Sequence, residues 1–292
     1  MAKPADIGIG ISGWTYPPWR GHFYPAALVQ KRELEFASGV FRAIEVNGTF
    51  YGLQKPSSFE KWRRETPDDF VFPLKAPRYI THIRRLREPR GPIANYLASG
   101  LLKLGPKLGP ILWQIPPNMS FDPVLIEDFL KLLPHDTEAA AALARQHDEA
   151  RAGKVWTETE EVRPVRHAIE IRNESFRDPA FIDLLRRYDV ALVCADTAKW
   201  PKLLDLTSDF VYCRLHGAEE LYRSTYLDEV IDTWAARVVA WATGRPVTDG
   251  DMVTKPIGRL RKRDVFLFFD NTEKRNAPVN AQTMTQRVAE PL

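Results

Sequence analysis

Short apolar runs in this chain end, one after another, in residues that can move protons or hold anions. Two of them nearly repeat: Ala43-Ile44-Glu45-Val46-Asn47 and Ala168-Ile169-Glu170-Ile171-Arg172. In an extended strand, the alternation that turns Ile44, Val46, Ile169 and Ile171 to one side turns Glu45, Asn47, Glu170 and Arg172 to the other. Two carboxylates beside cations of unequal closeness acquire different proton affinities, which is what acid/base chemistry needs. Glu45 and Glu170 are therefore candidate catalytic groups, with Lys75 or Arg172 able to split them. His216, two places beyond Arg214, and Asp196, at the end of another apolar run, join them as proton-transfer candidates. Arg172 and Arg214 present planar forks suited to a carboxylate or phosphate.

The same alternation applied to the other runs gives Ser12, Lys75, Gln114 and Arg214 the same side as these groups. The register of the last run leaves either Asp270 or Asn271 there. Candidate ligand contacts are Ser12, Trp14, Asn47, Tyr51, Lys75, Tyr79, His82, Gln114, Arg172, Arg214, Tyr226 and Asn271. Aromatic side chains cluster near these positions, namely Trp14, Tyr16, Trp19, Phe50, Tyr51, Tyr79, Tyr222 and Tyr226. They either stack on a ring-bearing ligand or roof the core.

Eight strand-like runs carry these residues: Ile7 to Ile11, Phe41 to Val46, Phe70 to Leu74, Pro110 to Ile115, Ala168 to Arg172, Val190 to Ala195, Phe210 to His216 and Val265 to Phe269. Helix signals separate them. Ser57-Ser58-Phe59-Glu60 reads as a capping box, Asp122-Pro123 and Asp178-Pro179 as N-caps before a first-turn proline, and Asp228 as the start of a long helix. Strands alternating with helices require parallel crossovers. Eight such units predict a single (β/α)8 TIM barrel over residues 1–292, of α/β class. Chemistry in that fold sits at the carboxyl ends of the strands, where the polar residues fall. Residues 134–164 are expected as a surface helical insertion before the fifth strand, and residues 243–263 as a long loop.

The chain has 292 residues, 44% of them hydrophobic, with a formal charge of +3. That charge is too small for a whole-protein nucleic-acid footprint. Two local basic runs, Arg84-Arg85-Arg87-Arg90 and Arg259-Arg261-Lys262-Arg263, do not form one stripe. Neither a signal-peptide pattern nor an apolar run long enough to span a bilayer occurs, so a cytoplasmic location is expected. Cys194 and Cys213, each inside an apolar run, are expected as buried free thiols.

The polar strand ends carry a family resemblance. Gly10-Ile11-Ser12-Gly13-Trp14-Thr15-Tyr16, Trp19-Arg20-Gly21-His22-Phe23-Tyr24-Pro25, Glu45-Val46-Asn47-Gly48-Thr49-Phe50-Tyr51, Phe72 to His82, Gln114-Ile115-Pro116-Pro117, Glu170 to Ser175 and Tyr212 to Gly217 resemble the YecE-like family, known as domain of unknown function 72. The resemblance implies a TIM barrel and no settled activity. Gly48 replaces a usually bulkier residue, and the 134–164 segment is longer than usual.

The expectation is an enzyme of acid/base type that binds a phosphate-, carboxylate- or sugar-bearing ligand. A nucleic-acid phosphodiesterase resembling endonuclease IV in barrel type is one alternative, and a non-catalytic ligand-binding protein another. No organic cofactor and no tight metal site are expected, because no HxH or HExxH pair occurs and the carboxylates are matched by cations. A weakly held Mg2+ or Mn2+ is compatible with them.

Overall fold

The computed structural model describes residues 5–149, 153–217, 226–255, 261–270 and 275–289. Its strands are β1 (Ile7–Ser12), β2 (Ala43–Glu45), β3 (Phe72–Lys75), β4 (Leu108–Gln114), β5 (His167–Glu170), β6 (Val190–Asp196), β7 (Phe210–Leu215) and β8 (Asp264–Phe269). Each falls on an expected run. The intervening helices are α1 (Glu33–Val40), α2 (Gly48–Tyr51), α3 (Pro56–Arg64), α4 (Arg90–Ala98), α5 (Pro123–Leu130), α6 (Thr137–Ala144), α7 (Pro179–Arg187), α8 (Asp228–Thr243) and α9 (Ala277–Ala289). Parallel strands alternating with helices in this way make the (β/α)8 barrel fold.

The chain divides into two compact units, one of residues 1–44 with 177–292 and one of residues 45–176. In the first, β1 pairs with β8, β8 with β7 and β7 with β6, all in parallel. Gly10 allows the chain to lie close to Ala43 here: a Cβ at Gly10 would come within 1.9 Å of the Ala43 carbonyl oxygen. In the second unit, β3, β4 and β5 pair in parallel, and Val46 bridges to Leu74 beside them.

Local rules account for three of the helix starts. Asp122, Asp136 and Asp178 each accept backbone N–H bonds at the head of α5, α6 and α7, satisfying donors that have no partner within the helix. The expected capping box at Ser57 to Glu60 does not form. Pro56 takes the first helical position, so Ser57 lies inside the turn and Lys55 is the N-cap without a side-chain bond.

The 134–164 segment contributes the helix α6 before β5, as expected, but α6 is not a solvated appendage. Its Thr137, Ala140, Ala141, Leu143 and Ala144 are buried, and α6 packs on α4. Alanine-rich composition here serves close helix packing rather than low complexity. The link from α8 to β8 has no regular element in its described parts, and residues 256–260 of the expected loop lie outside them. Asp205 pins that link by accepting from the Val253 and Thr254 amides and the Thr254 hydroxyl.

Cys194 and Cys213 are register partners on β6 and β7, buried and unoxidised. Burial first, and then Cys194, raise the Cys213 thiol well above its ordinary range, so both are packing residues. In the second basic run Arg261 and Lys262 are exposed, while Arg263 is 3% exposed and donates to the Ser208 and Arg261 carbonyls; Arg259 lies outside the described residues.

Candidate active site

Two polar groups form, one in each unit. In the unit of residues 45–176, the ends of β4 and β5 stand in register at Gln114 and Glu170. Glu170 is fully buried, and its Oε1 accepts from Gln114 Nε2 at 2.8 Å and from Arg172 Nε at 2.7 Å. The carboxylate therefore aims the guanidinium and the amide together. Buried charge is tolerated only with such partners. Glu45, at the end of β2, is also fully buried, and Lys75, at the end of β3, is 8% exposed.

Phe50 organises the rest of this group. Lys75 Nζ lies 4.3 Å from the centre of its ring, a favourable cation–π placement. The His82 ring meets Phe50 edge to face at 5.1 Å, and Tyr51 meets it the same way at 5.2 Å. His82 sits on a one-turn π-helix, Tyr79–Ile83, a helix type that is rare and found often at functional sites. Burial first, and then the charges of Lys75, Arg172 and Arg78, depress the His82 pKa to about 4, while Glu170 opposes them. The imidazole is thus neutral near pH 7. Tyr51 and Tyr79 remain largely exposed, at 74% and 50%, and Asn47 is partly buried as the N-cap of α2.

After the π turn, the arginine run passes through an irregular stretch before Arg90 opens α4. Arg85, Leu86 and Glu88 all have positive φ, of 49°, 61° and 46°, in the left-handed region that costs non-glycine residues energy. The buried Leu86 anchors the turn, its amide donating to the Ile80 carbonyl, and Arg84 pairs with Glu88.

In the other unit, Arg214, His216 and Asp270 come together. Arg214 Nη2 donates to Asp270 Oδ2 at 2.6 Å, His216 Nδ1 lies 3.4 Å from the same oxygen, and Arg214 Nη1 lies 3.4 Å from His216 Nε2. Arg214 and His216 are fully buried. Guanidinium nitrogens only donate, so the Arg214 contact uses a lone pair at His216 Nε2. At the last strand, Asp270 is Arg214's partner. Asn271 lies outside the described residues. Asp196 Oδ1 accepts from Lys202 Nζ at 2.7 Å, and the Tyr226 hydroxyl accepts from the Gly217 amide at 2.9 Å. Burial and the Asp196 charge raise the Tyr226 phenol well above its ordinary range.

Of the expected contacts in this unit, Ser12 is buried and its carbonyl accepts from Tyr16. The Trp14 carbonyl accepts from Tyr24. Trp19, 1% exposed among Tyr16, Phe23 and Tyr24, roofs the core. Lys202 and Trp200, which meets His216 edge to face at 5.7 Å, were not legible in the sequence. They come from an irregular stretch after β6 that has no periodic signal. Thr81 and Arg78, beside His82, were hidden among the residues of the π turn. Among the described residues, no three His, Cys, Asp or Glu side chains gather as metal ligands would.

Proteins of known structure share this fold. A DUF72 protein of Thermotoga maritima superposes with a TM-score of 0.72 at 23% identity, covering 98% of this chain and all of that one. One of Enterococcus faecalis gives 0.68 at 16% identity, covering 98% and 96%. At those identities the likeness speaks to fold alone. The UPF0759 protein YecE of Escherichia coli K12 is 25% identical over 243 residues, 80% of this chain and 82% of its own. The UPF0759 protein YunF of Bacillus subtilis is 30% identical over 116 residues, 38% of this chain and 40% of its own. Residues 8–291 match the family model described as protein of unknown function DUF72. The chain belongs to the DUF72 family.

Proposed function

We propose that this protein is an acid/base enzyme acting on a small anionic ligand, a phosphate, carboxylate or sugar acid, at the group formed by Lys75, His82, Gln114, Glu170 and Arg172. The observation that carries the reading is the concentration of Lys75, Arg78 and Arg172 around a neutral imidazole, with a buried carboxylate orienting one of the cations. Fixed positive charge in a partly dehydrated place stabilises negative charge on a ligand or transition state without reorganisation at the moment of reaction. Lys75 and Arg172 hold the anion, and Glu45 and Glu170 are the nearby carboxylates for proton transfer. Tyr51 and Tyr79 offer faces to a ring-bearing body. Arg214 and His216, gathered with Asp270, support the other unit's strand ends, and Asp196 and Tyr226 belong with them as proton-transfer and ligand-contact candidates.

The test is a ligand screen by thermal shift and titration calorimetry, using inorganic phosphate, small carboxylates and sugar phosphates. Stabilisation of the native protein by one class, lost in Lys75→Met and Arg172→Met, supports the reading. Failure of every class at millimolar concentration, or equal binding by both variants, overturns it.

The phosphodiesterase alternative draws on Arg84, Arg85 and Arg87, which follow His82 in the chain. It lacks a gathered set of metal ligands among the described residues. Steeply salt-dependent binding of DNA or RNA, weakened when these arginines are neutralised, would favour it.

A further inference from the structure

His82 makes one hydrogen bond among the described residues, between its Nδ1 and the Thr81 hydroxyl oxygen at 2.8 Å. Thr81 is fully buried, and its hydroxyl has this contact alone among the described residues. A hydroxyl sealed from water must place its hydrogen on an acceptor or forfeit that bond. The acceptor here is Nδ1. A neutral ring that receives a hydrogen bond at Nδ1 carries its own proton at Nε2. The ring as a whole is partly exposed, so Nε2 is the nitrogen left for a ligand. On one flank the ring touches Phe50, over which Lys75 Nζ lies.

We propose that His82 is a neutral Nε2–H donor to an oxyanion held by Lys75 and Arg172, its tautomer fixed by the Thr81 hydroxyl. The proposal rests on the anion-binding reading above and deepens it: the imidazole gives a hydrogen bond rather than taking a proton. The groups facing His82 agree with that role. Lys75 from β3, Arg172 from beyond β5 and Arg78 from the head of the π turn all oppose a second positive charge on the ring, and Glu170 from β5 only partly offsets them. A neutral donor polarises an anion without giving up its proton, which suits a site already rich in cations.

The experiment has two arms. In the ligand-free protein at pH 7, nitrogen-15 correlation spectra should show His82 with a protonated Nε2 and an unprotonated Nδ1. Thr81→Val, which removes the hydroxyl at nearly constant volume, should mix the tautomers. A protonated Nδ1 in the native protein overturns the proposal. The second arm titrates inorganic phosphate. Glutamine can place an amide N–H where Nε2 lies, so His82→Gln should bind within about threefold of the native protein, while His82→Ala should lose about tenfold, the worth of one hydrogen bond to an anion. Phosphate binding that is lost in Lys75→Met yet unchanged in His82→Ala sinks this inference and spares the anion-binding reading. A native protein blind to phosphate and to carboxylates sinks both.

Discussion

The Glu170 carboxylate sits at the end of β5 with no exposed surface, and Arg172, 12% exposed, faces it. Replacing Glu170 by Gln keeps the volume and removes the charge that balances the guanidinium. Breaking a buried pair from one side costs about 3–5 kcal/mol, so urea unfolding of Glu170→Gln should show a loss of that order. Glu45→Gln, measured beside it, tells whether the second buried carboxylate answers a cation in the same way. Tyr96 offers the opposite case. Its hydroxyl is buried without a hydrogen-bond partner among the described residues, and burial raises its phenol far above the ordinary range. Tyr96→Phe should therefore leave stability unchanged or raise it by about 1 kcal/mol, and a clear loss would point to an ordered water on that hydroxyl.

Secondary-structure elements were readable where one physical rule governed each. The eight strands follow from apolar alternation, and the heads of α5 and α7 from Asp-Pro pairs whose two residues do separate jobs. Asp178 accepts from the Ala180 amide, and Pro179 fills the turn position that needs no N–H. Asp178→Ala should cost about 1 kcal/mol, visible in thermal unfolding, and Asp178→Asn should cost much less. Where two rules competed, the sequence misled. The apparent capping box before Phe59 gave way to Pro56, and the alanine-rich stretch at 137–144 looked solvated because packing against α4 leaves no mark on composition. The polar strand ends were legible for the same reason as the strands. Their mutual partners were not, because Lys202 and Asp270 are joined to Asp196 and Arg214 only by the fold.

Two histidines should set how stability falls between pH 7 and 4.5. His167 accepts from the Trp113 indole and donates to the Pro134 carbonyl, and burial first holds its pKa down to about 3. Both it and His82, at about 4, are depressed below the unfolded value of about 6.5. The unfolded chain binds these protons first, so folding stability is whole above pH 6.5 and falls as pH drops toward 4, by about 1.4 kcal/mol per pH unit for each fully linked proton. His82 is partly exposed and contributes less. Denaturant titrations between pH 7 and 4.5 should show that slope, and His167→Gln, which can repeat both hydrogen bonds, should flatten it. The left-handed run after the π turn bears on how freely this sequence can drift. Of its three positions, Leu86 is buried and Glu88 answers Arg84, which leaves exposed Arg85 as the one where glycine relieves strain at no packing cost. A library selected only for heat survival should enrich glycine at 85, with a gain of about 1 kcal/mol. One selected for ligand capture should keep arginine there if its charge serves the site, and the gap between the two populations would measure what the strain is worth.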